Sequence, residues 1–68
     1  MSVARVTEIS SVSKKSFEHA IRQGVERANK TLRNVQGAWV KEQHVMIEDG
    51  EISGFRVNML VTFILEDD

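Results

Sequence analysis

Hydrophobic residues recur at helical spacing between positions 17 and 32, with charged residues mainly on the other side. This period predicts an amphipathic helix from Ser13 to Leu32, the strongest local signal in the chain. Ser13 is the expected N-cap, because a serine hydroxyl can accept hydrogen bonds from the free amides of the first turn. Gly24 costs about 1 kcal/mol relative to alanine within a helix, so its place in the stripe predicts close helix–sheet contact. The stripe consists of Phe17, Ala20, Ile21, Gly24, Val25, Ala28 and Leu32.

The segments on either side of this helix have the residue types of β-strands. Residues 3–9 mix β-branched and charged positions and predict a short strand, followed by serine-rich turn chemistry at 10–13. A second strand is predicted from about Gln36 to Glu48. The dipeptide Asp49-Gly50 then predicts a tight hairpin, because both residue types tolerate positive φ. The fold class is therefore α+β in the order β-α-β-β, with three antiparallel strands and one helix.

The last strand, which ends near Leu65, alternates between two faces with a period of two. One face is apolar throughout, and we assign it to the core beneath the helix. The other face is half apolar, and no second helix remains to cover it. Such a patch is an aggregation hazard when exposed, so we expect it to meet other copies of the chain or a ligand. The core face carries Phe55, Val57, Met59, Val61, Phe63 and Leu65, and the other face carries Gly54, Arg56, Asn58, Leu60, Thr62 and Ile64.

Length and composition limit the classes of protein that this chain can represent. Residues 1–68 are expected to form a single domain, and a domain of this size buries only about 60% of the surface of its unfolded chain. The absence of cysteine excludes disulfides, which leaves self-association as the expected source of added stability. A net charge of −1 predicts neither nucleic acid nor anionic lipid as a partner. No apolar run approaches the ~20 residues of a membrane span, so a soluble, cytoplasmic protein is expected.

The sequence does not predict an enzyme. The serines at positions 10, 11, 13 and 16 lack the base and the orienting group that would activate a nucleophile. His19 and His44 have no partner at the spacing of a metal site, which disfavours a metal role for both. No metal-binding residues are assigned.

Acidic residues cluster at the predicted hairpin and at the end of the sequence. Carboxylate oxygens suit a hard cation, but the spacing is not that of an EF-hand loop. A solvated hairpin tip is the favoured interpretation. A symmetry axis that brought copies of one carboxylate together would favour a cation. The residues are Glu48, Asp49 and Glu51 in the hairpin and Glu66, Asp67 and Asp68 at the end.

Several stretches of the sequence together resemble a known family over nearly the whole chain. They are Val6-Thr7-Glu8-Ile9; Ser16-Phe17, Ala20, Val25-Glu26-Arg27-Ala28 and Thr31-Leu32-Arg33-Asn34-Val35; and Val57, Val61-Thr62-Phe63 and Leu65-Glu66-Asp67. With the β-α-β-β order, these positions resemble the dodecin family. The resemblance implies a hollow homododecamer in which the sheet wraps the helix, and a non-enzymatic role in storing or sequestering flavins such as riboflavin or FMN.

The two flavin-contacting positions of that family differ in this chain. The resemblance places Gly37 where flavin-binding members have a stacking tryptophan, and Arg56 where they have a glutamine that bonds the polar edge of the flavin. Arginine offers five donors and no acceptor, so it cannot accept from the flavin N3–H. These departures resemble a branch of dodecins described as calcium-binding, and they imply that flavin affinity is weak or absent. A calcium-binding or purely structural shell is therefore an open alternative to flavin storage.

The remaining ligand candidates each have a second interpretation. Trp39 lies two residues beyond Gly37, on the same predicted face but about 6–7 Å away, so it would stack out of register. We favour Trp39 as a subunit-interface anchor over a stacking platform. Arg56 suits either an anion clamp or an ion pair with Glu42 or Glu8 of a neighbouring subunit, and the ion pair is favoured. Asn58 shares the face of Arg56 and completes the ligand-binding candidates.

Overall fold

The chain has four regular elements in a computed structural model that describes residues 3–65. Strand β1 spans Val3–Ser13, helix α1 spans Phe17–Thr31, strand β2 spans Val35–Glu48 and strand β3 spans Glu51–Leu65. The order β-α-β-β is as predicted. The predicted acidic end at positions 66–68 lies outside the described residues.

The three strands form one antiparallel sheet in the order β1-β3-β2, with the last strand in the centre. The β2–β3 connection is a two-residue turn with φ 53° at Asp49 and 80° at Gly50. Positive φ at both positions is what a type I′ hairpin requires, and it matches the right-handed twist of the strands. The predicted hairpin is therefore confirmed. Strand β3 begins directly after it, at Glu51.

The predicted start of the helix at Ser13 is wrong. Strand β1 continues to Ser13, which pairs with Phe55 of β3, and the helix begins at Phe17. Ser16 is the N-cap, and its hydroxyl accepts a hydrogen bond from the backbone N–H of His19 over 3.0 Å. Ser13 instead turns the chain, since its hydroxyl accepts from the backbone N–H of Lys15 over 2.9 Å.

The predicted turn at positions 10–13 is also wrong, because these residues belong to β1. Ser11 and Ser13 are buried beneath the helix, which a serine tolerates only when its hydroxyl has a partner. Gln23 donates to the Ser11 hydroxyl over 3.2 Å, and the Ser13 hydroxyl lies 2.6 Å from Nδ1 of His19. Partners on the helix therefore satisfy both hydroxyls and allow a serine-rich segment to remain in the sheet.

The core lies where the helix crosses β3. Its centre is Met59, which is fully buried and packs against the helix at Gly24. A Cβ at Gly24 would lie 2.5 Å from Cε of Met59 and 3.2 Å from Cβ of Ser11, so the predicted close approach of helix and sheet is confirmed. At the other end of the contact, the rings of Phe17 and Phe55 meet edge to face, 5.1 Å between centroids. The buried apolar residues are Ala20, Ala28, Val57, Met59 and Val61.

The helix covers less of the sheet than the alternation of β3 predicted. It packs mainly on β1 and β3 and makes few contacts with β2. Leu65 was assigned to the core, but 44% of it is exposed, because it pairs with Val3 beyond the end of the helix. The face opposite the helix has no covering element within residues 3–65, as the sequence predicted.

Candidate functional site

The candidate site is the sheet face opposite the helix. Residues that pair across antiparallel strands project to the same face, so the pairing register identifies its members. Four successive rows cross the three strands. From one end to the other they are Val6–Thr62–Gly37, Glu8–Leu60–Trp39, Ser10–Asn58–Glu42 and Val12–Arg56–His44.

Large apolar side chains are exposed on this face. Val6 is 47% exposed, and Trp39 is 63% exposed. They lie in neighbouring rows, with the partly buried side chains of Leu60 and Thr62 between the outer strands. A patch of this kind on a small chain marks a surface that binds another molecule.

Gly37 and Trp39, two of the predicted ligand residues, lie in adjacent rows. Gly37 faces Thr62 and Trp39 faces Leu60, which puts the two positions about 6–7 Å apart on one face, as the sequence predicted. A Cβ at Gly37 would meet only Oγ1 of Thr62, at 3.7 Å, an ordinary contact distance. The sheet therefore has room for a side chain at the position where this chain has none.

Arg56 and Asn58, the other two predicted ligand residues, occupy the remaining rows. Nδ2 of Asn58 donates to Oε1 of Glu42 over 2.9 Å, which fixes the amide against β2. The Arg56 side chain lies opposite His44 and makes no hydrogen bond or ion pair with any of residues 3–65. Its five donors are thus available to a ligand or to another copy of the chain.

The four residues lie in four successive rows along the face and do not form one pocket within a single chain. Gly37 and Arg56 are separated by six residues along β3, counted from Thr62 to Arg56, or about 20 Å. Trp39 and Arg56 are about 13 Å apart by the same measure. A small ligand that touched both ends of the face would therefore need surfaces from more than one chain.

One feature of the site was missed at the level of sequence. The register between β2 and β3 shifts between Val40 and Glu42, so Lys41 is an extra residue in β2. Its ammonium group lies 3.3 Å from Oε2 of Glu8, on the far side of the central strand. Because Glu8 and Trp39 both lie opposite Leu60, this half-exposed ion pair lies beside the tryptophan. Strict alternation predicts no such bulge.

The described part of the chain holds no metal site of its own. Within residues 3–65, no group of three or more histidine, aspartate or glutamate side chains is placed to hold a metal ion. The same residues contain no helix long and apolar enough to cross a membrane.

The comparisons with known proteins agree on one family. The family model described as Dodecin matches residues 3–66. Among solved structures, a dodecin from Streptomyces davaonensis is 36% identical, with 97% of each chain covered and a TM-score of 0.91. A dodecin from Streptomyces coelicolor is 33% identical over 98% of this chain and 96% of that chain, with a TM-score of 0.91. A dodecin mutant from Thermus thermophilus is 31% identical over the full length of both chains, with a TM-score of 0.92. A search of curated proteins finds no match.

Proposed function

The chain belongs to the dodecin family, a family of self-assembling dodecamers that bind flavins, and we propose that it is itself a non-enzymatic dodecameric binding and storage protein. In this proposal twelve copies form a shell. The sheet face opposite the helix takes up a small ligand between neighbouring copies. Flavin affinity is weak or absent.

The observation that carries the proposal is the pattern of exposure on that face. Trp39 is 63% exposed and its neighbour Val6 is 47% exposed, whereas Val57, Met59 and Val61 on the helix side are fully buried. Burial of apolar surface stabilises a protein by roughly 25 cal/mol per Å². A second layer over this face, made of other copies and ligand, recovers stabilisation that one helix cannot supply.

Weak flavin affinity follows from two positions on the face. Gly37 has no ring to stack on an isoalloxazine, and stacking between aromatic rings contributes about 0.5–1.5 kcal/mol beyond burial. Arg56 has no acceptor for the flavin N3–H. A flavin bound at this site would leave that donor unpaired, at a cost of about 1–3 kcal/mol. Together these losses reduce affinity by at least tenfold.

A flavin titration tests this proposal. Riboflavin and FMN are each added to ligand-free protein, and flavin fluorescence is followed at increasing protein concentration. We expect no quenching, or quenching only well above micromolar protein. Strong quenching at micromolar protein would contradict the weak-affinity part of the proposal and leave the assembly part standing.

The exposure of Trp39 favours a second candidate, a flavin-storage dodecin in which this ring replaces the one missing at Gly37. The indole is exposed on the correct face, one row away. The displacement of the indole from position 37 by about 6–7 Å along the strand weighs against this candidate. If the titration shows quenching, Trp39→Ala distinguishes the two candidates at a protein concentration at which its native mass shows an intact assembly, because only a stacking tryptophan is then needed for the quenching.

A further inference from the structure

The β2–β3 hairpin extends beyond the rest of the fold as an arm, which we define as residues 46–54. Strand β1 ends at Ser13, opposite Phe55, and the helix begins at Phe17, whose ring packs on Phe55. Neither element continues past that level. Gly54 at the base of the arm still lies against Val12 and Ser13 of β1. Beyond it, within the described chain, the arm is a two-stranded ribbon with no third strand paired to it and no helix beside it, in a molecule 54 Å long and only 19 Å wide.

The tip of the arm combines exposed apolar side chains with negative charge. Ile47 and Ile52 are cross-strand partners and are 66% and 59% exposed, two of the most exposed large apolar residues of the described chain. The arm also carries three carboxylates, at Glu48, Asp49 and Glu51, and no basic residue. An isolated ribbon of this kind gains little from folding alone. The isoleucine pair therefore suits an apolar groove whose rim also accepts acidic groups.

A matching groove lies between α1 and β1, on the part of the sheet that the helix covers. Its volume is about 570 Å³, within the range of pockets that take up a sizeable ligand. The helix leaves space on this side because Gly24 and Ala28 have small side chains. The groove is open on its other side because β1 is an edge strand, with no further strand beside it in the described chain. Ile9 and Leu32 add apolar walls.

The rim of the groove has the complementary charge. Arg27 lines the groove and is exposed, and it makes no ion pair with any of residues 3–65. A free guanidinium beside an apolar floor suits a partner that carries apolar side chains and carboxylates together. The arm of the same chain cannot reach it, since the arm continues the sheet past Phe55 and would have to break its strand pairing to fold back.

We propose that the arm of one copy docks in the α1–β1 groove of a second copy, with Ile47 and Ile52 on the groove floor and the carboxylates beside Arg27. Each chain then donates one arm and accepts one, a head-to-tail contact that produces a closed assembly when its rotation closes. The groove lies on α1 and the edge strand β1, and of the rows on the sheet face only Ser10 and Val12 also line it. The four ligand-binding candidates lie on β2 and β3, so the contact is a second interface beside them.

Cysteine pairing tests the contact, because the natural chain has no cysteine to interfere. The variant carries Ile52→Cys in the arm and Thr31→Cys in the groove. The matched control carries Ile52→Cys with Arg22→Cys, on the helix side that faces away from the groove. Under mild oxidation, the test variant is expected to give a ladder of covalent multimers on a non-reducing gel. Each single-cysteine variant and the control are expected to give no covalent species larger than a dimer.

Charge reversal gives a second measurement that does not depend on the disulfide geometry. Arg27→Glu is expected to weaken assembly at least tenfold in dilution, and Arg27→Glu with Glu51→Arg is expected to restore it. Failure of both the ladder and the rescue, in protein that still has the native mass of an assembly, overturns the arm contact and leaves the proposed function intact. A monomeric native mass for the unmodified protein overturns both.

Discussion

Gly37 and Thr62 face each other across β2 and β3, and the Thr62 hydroxyl donates a hydrogen bond to the Gly37 carbonyl oxygen over 3.1 Å. The Thr62 side chain therefore contacts the backbone of residue 37, which has no side chain to contact. A Cβ at position 37 would lie 3.7 Å from Oγ1 of Thr62, which is ordinary contact. The strand therefore accepts a Cβ at this position without a close contact.

Restoring both altered positions is expected to create a flavin site. The double variant Gly37→Trp with Arg56→Gln supplies a stacking ring and an acceptor for the flavin N3–H, which together strengthen binding at least tenfold. Fluorescence quenching of riboflavin and FMN measures the change. Gly37→Ala with Arg56→Gln is the matched control; it regains the acceptor but lacks the ring, so it is expected to bind flavin more weakly than the tryptophan variant. A tryptophan variant that assembles normally and ignores flavin would show that the site lies elsewhere.

Replacing Arg56 by alanine is expected to weaken the assembly more than the fold of each chain. Its guanidinium has no partner within residues 3–65, so we expect it to pair with a carboxylate of a neighbouring copy, Glu42 or Glu8 being our candidates. Removing one partner of a desolvated pair costs about 2–5 kcal/mol. Size-exclusion chromatography on dilution and thermal unfolding at one fixed concentration measure the effect.

The control for Arg56 is Arg22→Ala. Arg22 makes an exposed pair with Glu18 on the same helix, 3.1 Å apart, and such pairs contribute about 0.3–0.5 kcal/mol. The Arg22→Ala variant should therefore leave the dissociation of the assembly unchanged. Equal behaviour of the two alanine variants would contradict an intersubunit role for Arg56.

Trp39 is expected to act as an interface anchor, so Trp39→Ala should destabilise the assembly by at least about 2 kcal/mol per chain. Trp39→Phe keeps most of the apolar area and should destabilise the assembly by less than half as much as Trp39→Ala. The midpoint of dissociation on dilution gives both values, and circular dichroism checks that the helix persists. If both variants dissociate like the natural chain, Trp39 is not part of an interface.

Gly24→Ala is expected to lower stability, although alanine is the better helix former. The helix gains about 1 kcal/mol from the replacement. The new methyl group presses on Met59 and on Ser11 of β1, and overpacking of this kind costs about 1–3 kcal/mol. We expect a net loss of about 1 kcal/mol in denaturant unfolding.

A double-mutant cycle identifies the cause of that loss. Met59→Leu removes the terminal methyl group that lies nearest to the added carbon. The two substitutions should then interact by at least about 0.5 kcal/mol, with the double variant more stable than the sum of the singles predicts. Additive losses would exclude the Met59 contact as the source, and Asn29→Ala on the exposed side of the helix is the neutral control.

The order of elements and the buried centre of β3 were predictable from sequence because they depend on local periodicity, and the tight hairpin was predictable from the residue types of its turn. The start of the helix was not. Ser13 and Ser16 are equally good caps by residue type, and the choice between them depends on burial of Ser13 beneath the helix and on its contact with His19. Such a tertiary contact outweighs turn propensity and leaves no periodic signal.

The candidate site divides in the same way. Strand alternation predicts that Gly37 shares a face with Trp39 and that Arg56 shares a face with Asn58, and the register places both pairs on one face of the sheet. The extra residue Lys41 shifts that alternation in β2 and brings its side chain to Glu8. The position of this extra residue depends on how β2 pairs with β3, and the residues of β2 alone do not specify that pairing. The separation of Gly37 from Arg56 likewise required the register.

The most direct test of the account is the native mass of the protein under gentle ionisation. We expect neighbouring copies to cover the sheet face, to pair with Arg56 and to receive the arm. The account predicts a single species of twelve 7.7 kDa chains, with dissociation to smaller species when Arg56 is replaced by alanine. A folded species of 7.7 kDa at low micromolar concentration would contradict it.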